Sequence, residues 1–219
     1  MEKFELIIGN KVYSSWSLRA WLALKHTGVP FTETVLFMDT PKFKPAILKY
    51  SPTGKVPFLK HGSLGIWDSL AICEYLAEQL PAAKLWPEDA TARALARSVS
   101  AEMHSGFMAI RKNMPFNCRA SGRHVNESAE LETEINRVTE LWRECRKHHG
   151  QDGPWLFGRF SIADAMYIPV ALRFVTYGTK LDGTARSYLE TVQSLRAIRE
   201  WIAAAKLEKE VIETSEVGR

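Results

Sequence analysis

The spacing of apolar residues changes character partway along this chain of 219 residues. Up to about residue 80 it switches between a period of two and a period of 3.6, the mark of alternating strands and helices; beyond that point only the helical period recurs. Phe4–Ile8 alternates as a strand. Residues 15–27 place Leu18, Trp21, Leu22 and Lys25 at helical spacing, with Lys25 and His26 in the last turn and Gly28 as the stop. Residues 31–37 are β-branched and aromatic and predict a second strand, and Thr40-Pro41 opens a short helix that Pro52 and Gly54 end. Residues 56–60 and Leu64–Trp67 flank a turn at His61-Gly62-Ser63, which makes a hairpin. Asp68 then caps a helix with Ala71, Ile72, Tyr75 and Leu76 in one apolar stripe.

Residues 81–87, bracketed by Pro81 and Pro87, break this pattern and read as a linker between an α/β domain at 1–80 and an all-helical domain at 88–219. Two long helical segments are predicted at 89–113 and 126–149. The second carries Leu131, Ile135, Val138, Leu141, Trp142 and Cys145 on one face and stops at Gly150. Ser161-x-x-Asp164 is a capping pair with Asp in place of the usual Glu, and Phe160 is placed to act as a staple. Residues 194–206 supply a last amphipathic helix through Leu195, Ile198, Trp201 and Ile202, and the polar tail after Glu208 is expected to fray.

A 46% hydrophobic composition is ample for a sizeable core. The 29 basic and 25 acidic residues are interspersed, and a net charge of only +4 excludes a nucleic-acid groove. Cys73, Cys118 and Cys145 are odd in number and form no C-x-x-C pair. That argues against a disulfide framework, a zinc ribbon or a dithiol reductase, and for a reducing compartment. Glu2 and Lys3 precede an apolar stretch of about five residues, far too short for a signal peptide or a membrane span, so a cytoplasmic protein is expected. His26, His61, His124, His148 and His149 lack metal-ligand spacing and read as surface or capping residues; no metal site is expected.

Candidate chemistry gathers at three places in the first domain. Ser14, Ser15 and Ser17 crowd the start of a helix, where unpaired N–H groups and a partial positive charge favour an anion, so a hydroxyl there can stabilise a thiolate brought in by a small thiol peptide. Gly54-Lys55-Val56-Pro57 enters the third strand, and Asp68-Ser69 hands the fourth strand to a helix. Each also has a plainer meaning: spare helix caps, an ordinary proline at a strand edge, and an N-cap without a ligand.

The strand-helix-strand-helix-hairpin-helix order with a proline entering the third strand, followed by a helical domain carrying Phe157-Gly158-Arg159-Phe160-Ser161-Ile162-Ala163-Asp164, resembles the glutathione S-transferase superfamily over almost the whole chain. Ser14-Ser15-Trp16-Ser17-Leu18-Arg19 is most similar to the Ser-Ser-Cys-Ser-x-Arg run of the zeta class, with Trp16 as a departure. The resemblance implies a thioredoxin-like domain joined to an all-α domain, a homodimer, and glutathione as co-substrate with a small electrophile as second substrate. It implies that Ser14, or else Ser15, donates to the glutathione thiolate, with Ser17 in support and Tyr13 as an outside candidate. A cis Pro57 would turn the Val56 backbone toward the peptide, Asp68 would accept from its α-amino group, Ser69 would hold the γ-glutamyl carboxylate, and Lys42, Lys44 or, best placed, Lys55 would meet the glycyl carboxylate. The absence of cysteine from residues 13–19 disfavours glutaredoxin-like and omega-like chemistry. The electrophile would lie near His104, Phe107, Arg111 and Met114; Phe107 and Met114 also suit core packing, and Arg111 on an apolar face calls for an anionic partner. Two other functions stay open: a zeta-like cis-trans isomerase, although Arg173 falls about one turn before that class's substrate arginine and Thr176 takes its place, and a non-catalytic binding module.

Overall fold

A computed structural model describes residues 3–126 and 128–219. Strand β1 (Phe4–Ile8) leads to helix α1 (Ser15–His26), strand β2 (Phe31–Val35), helix α2 (Phe43–Ile47), the hairpin of β3 (Phe58–His61) and β4 (Leu64–Trp67), and helix α3 (Ser69–Gln79). The sheet runs β2-β1-β3-β4, with β1 parallel to β2 and antiparallel to β3. Successive β1 side chains point to opposite faces. Leu6 and Ile8 join Leu18, Leu22, Ile72 and Leu76 in the main core, while Ile7 meets Ile47 and Phe58 in a smaller cluster on the other side.

The stripe on α3 is turned from the expected one. Ile72, Cys73 and Leu76 are buried, Ala71 is exposed, and Tyr75 sits half-buried with its hydroxyl 2.8 Å from His61 Nδ1. His61 also stacks on Phe4, so it belongs to the sheet rather than to the surface. Residues 81–87 are no loose tether either: Leu85 and Trp86 are buried, the Leu85 carbonyl accepts from Ile162 N at 2.8 Å, and Trp86 Nε1 donates to Glu74.

Beyond lie α4 (Ala90–Ser105), α5 (Met108–Asn113), α6 (Ala129–His149), α7 (Ile162–Thr176), α8 (Gly183–Ser194) and α9 (Arg196–Ala205). The single helix expected at 89–113 is broken at Gly106 and Phe107, where Phe107 takes φ 61° and buries its ring. Arg111 closes the broken end by donating to the carbonyls of Gly106, Met103 and His104, the orphan acceptors of the last turn of α4. The six-residue stripe of α6 is buried as its spacing demands. Helix α7 is buried on almost every side and runs through the centre, packed against α1 and α4.

The tail does not fray. Glu208 accepts from the backbone N–H groups of Lys11 and Val12, and Glu216 accepts from the Tyr13 hydroxyl. A sequence window cannot see this, because the partners lie about two hundred positions apart. Among the described residues no helix is long and apolar enough to cross a membrane, and no group of three His, Cys, Asp or Glu residues is placed to hold a metal ion.

Candidate functional site

Ser14 caps α1: its oxygen accepts from Ser17 N, and its hydroxyl donates to Ser17 Oγ at 2.7 Å. Ser17 Oγ accepts in turn from Gly9 N at 3.0 Å, which ties the helix start to the end of β1. Ser17 is therefore a structural neighbour of Ser14. Ser15 Oγ, on the first turn, accepts from Arg173 Nη2 at 3.3 Å.

A cavity of about 480 Å³ opens beside this helix start, lined by Trp16, Thr53, Lys55, Val56, Pro57, Trp67, Asp68 and Ser69. The Val56-Pro57 bond is cis. Asp68 turns the chain with φ 76° and caps α3 by accepting from Leu70 N and Ala71 N. Ser69 is buried, and its hydroxyl has no partner among the described residues. Gly54 adopts φ 62° with the Lys44 ammonium against its α-carbon, so a side chain there would meet both strain and a collision.

Five of the predicted peptide-binding residues thus share one cavity: Lys55, Val56, Pro57, Asp68 and Ser69. Others fall elsewhere. Ser14 and Ser15 lie buried just behind the wall that Trp16 presents, at 4% exposure each, and do not themselves line the cavity. Lys42 lines a separate hollow with Phe37 and Glu210 on the far side of α2. Phe107 and Met114 belong to the hydrophobic core. The anionic partner expected for Arg111 is replaced by the carbonyls that end α4. Thr53 and Trp67 were missed; an exposed tryptophan directly before the Asp68 cap was the available signal. A hollow of about 450 Å³ among Trp86, His149 and Arg159 contains none of the predicted site residues.

Two guanidinium groups stack on Trp16, and a third, Arg173, bonds the neighbouring Ser15. Arg19 lies 4.3 Å and Arg111 4.8 Å from the Trp16 ring centroid, both within cation–π range. Arg173 Nε donates to the Met114 carbonyl at 2.8 Å. Arg19 is wholly buried, and none of its three nitrogens has a hydrogen-bond partner among the described residues. Burial, reinforced by repulsion from Arg111 and Arg173, holds its pKa well below the usual arginine value. Arg173 is brought down to about 9 by burial and by Arg111. His104 stands against the edge of Trp16 with Nε2 3.1 Å from Asp68 Oδ2; burial lowers its pKa despite that carboxylate, so at neutral pH the imidazole is uncharged. Cys73 is equally sealed in, its thiol pushed up to about 12 by burial.

The cavity brings together the unpartnered Ser69 hydroxyl, Lys55 and the Val56-Pro57 backbone beside the start of α1. Such a site suits an extended peptide with a carboxylate at each end and an ionisable group in the middle.

The sequence matches the family descriptions "Glutathione S-transferase, N-terminal domain" over residues 13–79 and "Glutathione S-transferase, C-terminal domain" over residues 127–204, which between them take in well over half of the chain. It is 38% identical over 97 residues to Glutathione S-transferase 1 of Dianthus caryophyllus, covering 43% of this chain and 42% of that protein. It is 35% identical over 97 residues to Maleylacetoacetate isomerase of Rattus norvegicus, covering 44% of this chain and 45% of that protein. The matched stretch therefore spans less than half the length of these curated relatives. A holo structure of maleyl pyruvate isomerase, a bacterial glutathione S-transferase of the zeta class, superposes with a TM-score of 0.72 at 23% identity, covering 94% of this chain and all of that one.

Proposed function

The chain belongs to the glutathione S-transferase family, and from this we propose that it is a glutathione transferase of serine type, acting on a small electrophile without a metal. One observation carries the reading: the cavity at Val56-Pro57 places the unpartnered Ser69 hydroxyl and Lys55 around a backbone edge that abuts the start of α1. Glutathione has a carboxylate at each end, matching Ser69 with the α3 N-terminus on one side and Lys55 on the other. Asp68 takes the α-amino group. The sulfur then faces the first turn of α1, where the helix dipole, three arginines and a serine hydroxyl favour the thiolate over the thiol.

Ser14 and Ser15 remain the two candidates for the donor. Ser15 has its hydroxyl hydrogen uncommitted while its oxygen accepts from Arg173, whereas the Ser14 hydrogen is directed to Ser17. Ultraviolet titration of the bound thiol, with turnover, in Ser14→Ala and Ser15→Ala decides between them. Loss of the true donor should lower kcat by about 100-fold and raise the thiol pKa toward its free value. If the thiol ionises at its free-solution pH in the wild type and both variants, the catalytic reading fails and a binding module is left.

A second reading, a glutathione-dependent cis-trans isomerase of zeta type, is favoured by Arg19 and Arg111 on Trp16 with Arg173 bonded to the neighbouring Ser15, a field suited to an anionic alkene. Absence of turnover on a cis-dicarboxylate alkene with glutathione removes it. On the family resemblance we also place the protein in the cytosol as a homodimer with a detoxifying role.

A further inference from the structure

The loop 9–14 that delivers Ser14 to its capping position has no strand or helix of its own to satisfy its backbone. The Asn10 carbonyl takes the N–H groups of Tyr13 and Ser14 within the loop, and the peptide groups of Lys11 and Val12 are met by segments far along the chain. One Glu208 carboxylate oxygen takes the Lys11 N–H at 2.7 Å and the other takes the Val12 N–H at 3.1 Å. The Lys11 carbonyl accepts from Trp201 Nε1 at 2.9 Å, and the Val12 carbonyl accepts from Cys118 N at 3.1 Å. Tyr13, the residue directly before Ser14, is held by its hydroxyl, which donates to Glu216 at 2.7 Å and accepts from Arg119 at 2.9 Å.

Glu216 is itself anchored. Its side chain is 7% exposed and accepts from Asn117 at 2.8 Å and from Arg123 at 2.5 Å. Burial pushes its carboxyl up, but hydrogen bonds from Tyr13 and Asn117 and the Arg123 charge outweigh this and hold it below the usual range, so the contact is charge-assisted at neutral pH. Arg119 reaches across to the carbonyls of Glu208 and Glu210. Between them Lys209, Val211, Glu213 and Thr214 are exposed while Ile212 is buried in the core, so the segment is held at two carboxylates with one apolar anchor between them.

We propose that residues 206–219 form a strap that positions the opening of α1, with Glu208 and Glu216 as its positioning residues. A carboxylate bridging two adjacent N–H groups fixes the direction of the loop, and a tyrosine pinned one residue before the N-cap fixes where Ser14 stands. The consequence for the thiol rests on the serine-type reading given above; the positioning of the loop does not.

Glu208→Gln, Glu216→Gln and Tyr13→Phe test it, with Lys209→Gln as an exposed control. Hydrogen exchange at the amides of residues 10–17 reads the strap alone and should quicken by about tenfold in the three variants and not in the control. Thiolate absorbance of bound glutathione at pH 7 should fall by about threefold, with glutathione still retained. Unchanged exchange in these variants overturns the strap. Faster exchange with undiminished thiolate overturns its link to the catalytic hydroxyl. A wild-type protein that shows no bound thiolate rejects the serine-type reading instead and leaves exchange to judge the strap. Tyr13→Phe deletes one oxygen and leaves the Glu208 contacts in place, so it keeps the test available if either glutamate variant fails to fold.

Discussion

Arg19 keeps a charge out of water with no acceptor for any of its nitrogens, and packing alone gives no reason to retain it. The face of Trp16 offsets part of the loss of hydration. Arg19→Met, of similar length and apolar, should preserve that contact and raise the stability to urea by about 1–3 kcal/mol, while lowering the thiolate fraction of bound glutathione through loss of positive potential. A destabilised Arg19→Met with an unaltered thiol would show the opposite, an arginine serving the fold. Single residues were unevenly legible. Lys55, Val56, Pro57, Asp68 and Ser69 are assigned through the family resemblance, for which the local strand entry and helix cap give the anchor points. Arg111 could not be placed, since its partners are carbonyls freed by a helix break that no apolar spacing announces.

Capping gives the helices their phase, and Asp164 is the most deeply committed cap. Its carboxylate accepts from Ser161 N, Ser161 Oγ, Leu156 N and Tyr188 OH, yet burial still raises its pKa to about 6. Its ordinary value is 3.8. A pKa raised in the folded state means the contribution of Asp164 is complete below about pH 4 and is lost as pH rises through about 6, an effect of about 3 kcal/mol. Measured by urea unfolding, the stability of the wild type relative to Asp164→Asn should therefore fall by about that amount between pH 4 and pH 7. A difference that stays constant would mean the carboxylate ionises in the fold as it does in water. The buried stripe of α6 and this capping pair were both readable, for each is written within one or two helical turns. The break at Phe107 was not, because that ring leaves the helical path to reach the core.

The two parts of the molecule share one hydrophobic core. Helix α7 packs on α1, Trp201 meets Trp21 edge to face at 5.1 Å, and Ile162 bonds to Leu85 in the connecting segment. Burial on that pattern couples the parts, so tryptophan fluorescence and circular dichroism should report one coincident unfolding transition in urea. Two separated transitions would show the junction to be weaker than its burial implies. The tail adds to this coupling by joining α9 and the 117–123 segment to the loop before α1.

Periodicity, caps and turn residues act over a few positions, so the order of elements in the first domain, the hairpin and the Asp68 and Ser161 helix starts follow from the chain read locally, whereas the break at Phe107 and the helix Gly183–Ser194 do not. Where Ser15 finds Arg173, where Lys11 finds Glu208 and why Arg111 reaches Trp16 depend on how finished elements pack. Those partners lie far apart in the sequence, and such contacts need placement to within a fraction of an ångström, which no local preference can supply.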